Sequence, residues 1–299
     1  MSVEQSEDYG KSIWLMCGAM FMLPILDCFA KLLGENGMSP GQIVLFRFSF
    51  QVLILVPILV LRKEFNLNFA HFWLQLLRAL AMALATFCFF IAISHMPLAD
   101  SIAIFFVEPM ILTILSAIFL GETVRLRRVL AIIVGFIGAI IIIRPQFNNV
   151  GVVAFLPLIT ATCFATYMLI TRYFSQKISP IQMQFQMGLI IVPLVAIFSL
   201  IFPSTDEFII ILPNWFEIQL LVGLGFVATS GHLLLVLATK KAPANLLAPF
   251  QYVEIIGATL LGFFIFGDIP TRYTAIGIFL ITLSGLYLWF RENQLQKKI

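Results

Sequence analysis

"PLADSIAIFFVEPMILTILSAIFLGE", Pro97 to Glu122, decides the fold, because a second stretch, "PANLLAPFQYVEIIGATLLGFFIFGD", Pro243 to Asp268, lies over it without a gap. Pro97 pairs with Pro243, Glu108 with Glu254, Gly121 with Gly267 and Glu122 with Asp268, all at an offset of 146 residues. Four helix-breaking or acidic matches in one register exceed what shared hydrophobicity produces, so the chain carries an internal repeat. A weaker match at offset 140 sets "SPGQI" at Ser39 against "SPIQM" at Ser179.

The surrounding composition says where the repeat lives. Of 299 residues, 61% are hydrophobic and 11% charged, and the mean hydropathy is +1.03. A soluble domain is about 45 to 50% apolar and about 25% charged. A bilayer crossing takes roughly 20 apolar residues, and such runs fall at Ser12 to Leu33, Gly41 to Leu61, Phe72 to Ser94, Ala99 to Leu120, Val129 to Ile143, Gly151 to Tyr173, Pro180 to Phe202, Trp215 to Thr239, Asn245 to Phe266 and Tyr273 to Phe290. The pattern predicts an all-α membrane protein of ten transmembrane helices, arranged as five-helix repeats over residues 1–146 and 147–299. Almost no chain remains for a soluble domain.

Because five is odd, a first repeat that starts on one face of the membrane ends on the other. The second repeat then runs upside down. Inverted repeats are the design of secondary transporters, which use two related conformations and a binding site near the midplane where the halves meet. Lys and Arg set the orientation. One side collects thirteen (Lys11, Arg62, Lys63, Arg125, Arg127, Arg128, Arg172, Lys177, Lys240, Lys241, Arg291, Lys297 and Lys298) and the other two, Arg144 and Arg272. Both termini are therefore expected in the cytoplasm, with the protein in a plasma membrane, a bacterial inner membrane by type. The net charge of +3 reflects this bias, and basic residues scattered over many loops do not form a nucleic-acid surface. The opening "MSVEQSEDYGK" is acidic and no small-residue cleavage site follows the apolar run, so no cleavable signal peptide is expected. Cys17, Cys28, Cys88 and Cys163 all fall within spans without metal-ligand spacing and read as small packing residues. No metal or cofactor is expected.

Glu108 raises the sharpest question. It is the one charged residue in the fifteen from Ser101 to Leu115, and an ionised carboxylate at the bilayer centre costs about 2.5 to 3.5 kcal/mol on insertion scales. Its repeat mate Glu254 has Gln251 and Tyr252 within one turn, and Gln251 shares a helical face with Glu254, Gly257 and Ala258. Asp27 stands one turn before Lys31, at the spacing of an i,i+4 pair, and Pro24 before it permits a kink. Tyr167 matches Asp27 at offset 140, and His232 is the histidine deepest in a span. Arg47 and Arg78 lie near the ends of their spans, where snorkelling or an interfacial partner would satisfy them; both stand as secondary site candidates. Thr162 and Thr171 read as hydroxyls bonded to their own helix. Most of the thirty-one Phe residues are lipid-facing or packing bulk, and Phe105 is the aromatic candidate for stacking on a planar substrate.

The ten-helix plan resembles the drug/metabolite transporter superfamily, EamA type, over essentially the whole chain. Its marks are the two repeated stretches with "GFIGAIIII" and "GIFLITLSG" after them, and the Gly121-Glu122 pair, which becomes Gly267-Asp268 in the second copy. The resemblance implies a cavity lined by the first, third, fourth, sixth, eighth and ninth helices, with the fifth and tenth peripheral. It implies no particular substrate, since amino acids, nucleotide-like metabolites, vitamins and metallophores all fall within the family's range. The expectation is a secondary transporter, by family habit an exporter, of a small polar or amphipathic metabolite such as an amino acid, an S-adenosylmethionine-like compound, a vitamin or a metallophore. Proton coupling and a monomer or homodimer embedded in lipid complete the reading. The substrate-binding candidates are Glu108, Glu254, Asp27, Tyr167, Gln251, Tyr252, His232 and Phe105. Two other classes compete. An intramembrane enzyme acting on lipid-linked substrates would need clustered acids for a metal, and a passive channel would need a continuous polar lining; the spans offer neither. No Walker loop, nucleophile elbow, HExxH or CxxC pattern occurs.

Overall fold

The computed structural model describes residues 3–66, 71–120, 126–174, 177–241 and 244–296. Gly121, Glu122, Arg125, Pro243, Lys297 and Lys298 lie outside the described residues. The described chain is helical, with no strand: α1 (Val3–Glu35), α2 (Pro40–Leu61), α3 (Phe72–His95), α4 (Leu98–Phe105), α5 (Glu108–Leu120), α6 (Leu126–Val150), α7 (Leu156–Phe174), α8 (Pro180–Ile201), α9 (Trp215–Lys241), α10 (Ala244–Gln251), α11 (Val253–Leu261) and α12 (Arg272–Gln296). Nine helical stretches among the described residues are long and apolar enough to cross a membrane. One of them, 126–174, holds both α6 and α7. The two meet at a 3-10 turn over Gly151–Phe155, where Gly151 takes φ +61°, a left-handed conformation that glycine adopts without steric cost.

The weaker repeat proves to be a piece of cap chemistry used twice. Ser39 stands at φ −66°, ψ 147° before α2, and Ser179 at φ −65°, ψ 146° before α8. Each hydroxyl accepts from a backbone N–H three residues on, Gln42 at 3.2 Å and Gln182 at 3.3 Å. Each is followed by a proline whose fixed φ suits the first helical position. The side chains at the two caps then reach opposite loops. Ser39 donates to the Ile209 carbonyl at 2.7 Å and Gln42 to that of Ile211 at 2.7 Å, while Ser179 donates to Glu64 at 2.8 Å and Gln182 to the Asn66 carbonyl. Helix α2 therefore starts where α8 ends, and α8 starts where α2 ends. Corresponding helices run antiparallel, and the two repeats are inverted.

The second repeated feature is a break. The spans predicted as continuous at Ala99 to Leu120 and Asn245 to Phe266 are each divided, α4 from α5 at Phe106-Val107 and α10 from α11 at Tyr252. In the first copy Pro109 explains it: proline disfavours helical geometry at the residue before it and lacks an N–H of its own. In the second copy Pro249 lies inside α10 and removes one ladder bond.

Helix α12 lies along α6, α3 along α7, and α1 along α9. At the α6–α12 seam a Cβ on Gly138 would meet the Gly277 carbonyl at 3.0 Å and Ile281 Cγ1 at 2.9 Å. Small residues let helix backbones approach this closely where no hydrophobic effect drives association. Large apolar side chains such as Trp14, Phe119, Leu130 and Phe264 cover the outer surface, as a lipid-facing belt requires.

Candidate functional site

Breaking each helix just before its acid puts Glu108 in the first turn of α5 and Glu254 in the first turn of α11. The free N–H groups and partial positive charge of a helix N-terminus favour a carboxylate there, which offsets part of the burial cost that made Glu108 conspicuous. Both acids are buried, and both line one cavity between the halves. Glu108 Oε1 has no hydrogen-bond partner. Asp27 of α1 faces the same space, as do Gln251 at the end of α10, Phe105 at the end of α4 and His232 of α9. The cavity has a volume of about 90 Å³.

Six of the eight candidate residues thus come together. Tyr167 and Tyr252 are not among the lining residues. Tyr167 is fully buried, with the Arg78 guanidinium 5.6 Å from its ring centroid. Tyr252 packs its ring 5.2 Å from that of Phe106 and directs its hydroxyl at Gly285 of α12.

The charges near helix ends depart from expectation. Lys31 pairs with Asp268 at 2.9 Å and not with Asp27, so Asp27 is left facing the cavity. Arg47 is 2% exposed and Arg78 1%, which rules out snorkelling for either. The reason for Arg47 is tertiary: residues after α8 fold over the start of α2, where Gly41 N–H donates to the Glu207 carbonyl at 2.8 Å and Phe208 stacks on Phe87 at 5.2 Å. What looked like an interfacial helix end is covered by protein. Arg47 instead donates to Thr86 Oγ1 at 2.6 Å and meets His232 Nε2 at 2.6 Å, in the cavity wall. Arg78 donates to the Met183 carbonyl at 2.5 Å and to Thr171 at 3.4 Å. Thr162 bonds its own helix at the Leu158 carbonyl, 2.9 Å.

The lining includes side chains from α1, α3, the α4–α5 and α10–α11 breaks, α7 and α9, together with Arg47 of α2. Helix α2 is an addition to the lining that the resemblance implied. Phe89, Phe90, Phe106 and Phe164 join Phe105 as an aromatic wall. Thirty-one Phe residues gave no signal in the sequence by which to choose them.

Discontinuous helices facing one cavity between inverted repeats are a feature of transporter folds. The EamA-like transporter family matches residues 10–144 and again 151–290. The chain belongs to this family. It is a membrane transporter and not an enzyme, similar over nearly its whole length to proteins of three named specificities. It is 27% identical to an S-adenosylmethionine uptake transporter of Rickettsia bellii, over 91% of each chain. It is 26% identical to a riboflavin transporter of Vibrio cholerae, over 88% of this chain and 87% of that one. It is 26% identical to a pseudopaline exporter of Pseudomonas aeruginosa, over 90% and 93%. A crystal structure at 16% identity superimposes with a TM-score of 0.65 over 99% of both chains, which shows the same fold.

Proposed function

We propose that this transporter is a secondary carrier of a small cationic or zwitterionic metabolite with an apolar or planar part, an amino acid or an S-adenosylmethionine-like compound. It works by alternating access across ten helices, in the bacterial inner membrane, with both termini in the cytoplasm and residues 1–146 and 147–299 as the two moving halves. The observation that carries this reading is the pair Glu108 and Glu254, equivalent by repeat, each opening a new helix onto one cavity beside aromatic rings. Asp27 adds a third acid. The acids attract a cationic group, the rings take a flat or apolar one, and an acid that exchanges its proton with either side couples transport to the proton gradient. An alternating-access carrier runs in both directions, and the coupled gradient sets the net one; relatives named for uptake and for export share this scaffold.

The test uses purified protein in liposomes, with substrate binding, proton-driven accumulation and substrate exchange measured for wild type, Glu108→Gln and Glu254→Gln. Gln keeps the shape of a protonated Glu, so folding is expected to survive. An acid that binds the cationic group loses about 10- to 100-fold in affinity when neutralised, matching the worth of a hydrogen bond to a charged group. An acid that carries the proton loses accumulation and retains exchange. Wild-type behaviour of both variants in all three assays would reject the proposal.

A further inference from the structure

The same cavity holds a cation that the acids do not explain. Arg47 is almost fully buried, yet it makes no ion pair within 4.0 Å among the described residues, where the salt bridge present is Lys31 with Asp268. Asp27 lines the same cavity without a hydrogen bond to Arg47. Leaving a charge in the interior without a paired counter-charge is costly, and the structure goes to some length to hold it in place. One Nη group donates to Thr86 Oγ1, whose own proton goes to the Met82 carbonyl at 2.9 Å. The other Nη meets His232 Nε2. Arginine has five N–H donors and no acceptor, so Nε2 must accept and the imidazole carries its proton on Nδ1. His232 Nδ1 has no partner, and neither does Arg47 Nε. Phe48 and Phe90 flank the guanidinium, their ring centroids 4.8 and 5.9 Å from Cζ. Two of the five donors are accounted for, in a wall that faces a cavity sharing Asp27, Glu108 and Glu254.

We infer that Arg47, oriented by His232 and Thr86, is the anion subsite of this cavity, and that the substrate class is one carrying a carboxylate together with its cationic group, as in an α-amino acid. The inference rests on the carrier reading above and adds to it a second pole. A guanidinium with free donors binds a carboxylate in a two-pronged contact that fixes orientation as well as charge. The acids then receive the ammonium or sulfonium, and the rings the remainder. A cavity with acids alone would prefer simple amines; one with Arg47 selects zwitterions. His232 acts here as a positioning residue, through Arg47.

The experiment compares pairs of ligands that differ by the carboxylate: S-adenosylmethionine against its decarboxylated analogue, methionine against methioninol, and phenylalanine against phenethylamine. Affinities are measured on purified full-length protein by thermal shift and equilibrium binding. In wild type the carboxylate-bearing member of a bound pair is expected to bind roughly 10- to 100-fold tighter. Arg47→Gln is expected to bring the two members of each pair to near-equal affinity. Arg47→Lys, which keeps charge and loses the fork, should retain part of the preference, and His232→Asn, which keeps an acceptor, serves if both Arg47 variants fail to fold. Equal affinity for the two members in wild type overturns the anion subsite and leaves the carrier reading standing. An equal loss for both members in Arg47→Gln, with the protein folded, overturns it as well, by making Arg47 structural. Binding of neither member in any pair overturns the substrate class in both readings.

Discussion

The two broken helices are copies of one sequence, yet they are anchored differently. In α4 the anchor is Asp100, two residues from the start. Its carboxylate accepts from Thr274 of α12 at 2.7 Å and from Gln146 of α6. The equivalent position in the second copy is Leu246. There the anchor is Asp268, beyond the end of α11, which accepts from Lys31 of α1 at 2.9 Å and from the Leu98 N–H at the start of α4 at 3.2 Å. Both anchors sit at the end of the bundle where α1 finishes and α4 and α12 begin, and both cross from one half to the other. What the repeat keeps is the break and the acid that follows it; what diverges is the set of bolts. The difference shows that a binding site and its scaffold are separable: the site needs symmetry for its acids, whereas the seam between halves needs only some satisfied contact at that end.

That contrast can be broken in three places. The largest effect is expected at the α6–α12 platform on which Asp100 is anchored. Gly138→Leu places four carbons against the Gly277 carbonyl and Ile281, and should cost about 3 kcal/mol as overpacking, read as a loss of folded yield. Ligand affinity of the surviving protein should stay at the wild-type value. Normal yield with lost affinity would show that the platform belongs to the site.

Next comes the second anchor. Asp268→Leu strands Lys31, whose side chain is 8% exposed, with the Met96 carbonyl at 3.4 Å and the face of Phe266 at 4.5 Å, and is expected to destabilise by about 2 to 3 kcal/mol. Lys31→Met should cost less, about 1 kcal/mol, because Asp268 is 19% exposed and keeps the Leu98 N–H. Pairing the two substitutions should recover most of the Asp268→Leu loss in thermal unfolding. If the double variant is as unstable as the sum of the singles, the ion pair is not what holds that end.

The smallest effect is expected for Asp100→Asn, which keeps one acceptor for Thr274 and sets an amide against the Gln146 side chain. About 1 kcal/mol is the scale for weakening one buried hydrogen bond. Equal losses for Asp100→Asn and Asp268→Leu would erase the proposed difference between the anchors.

How much of this could be read beforehand varies by residue. The repeat at offset 146 located Glu108 and Glu254 and their equivalence, and the structure places both on one cavity. Asp27, Gln251 and His232 were reached by the weaker clue of polarity inside an apolar span, and Phe105 only as one aromatic side chain among thirty-one Phe residues. The i,i+4 spacing of Asp27 and Lys31 misled, since Asp268, 237 residues away from Lys31 in sequence, takes the lysine. Tyr167, reached through the offset of 140, lies outside the cavity lining, with the Arg78 guanidinium of α3 5.6 Å from its ring centroid. Asp100 attracted no notice, for nothing local to α4 reveals Thr274 or Gln146.

The sequence by itself determined the membrane class, the inverted repeat and the two central acids, because these follow from composition, an odd number of helices per repeat and a self-match that needs no third dimension. Only the tertiary structure decided that both central helices break before their acids, that residues after α8 roof over the start of α2, and that Arg47 consequently stands in the cavity with His232 and Thr86. The physical reason is that a charge is placed by whatever covers it. A position near the end of a span is solvent-facing only if no distant loop, held here by Ser39 and Gln42, closes over it.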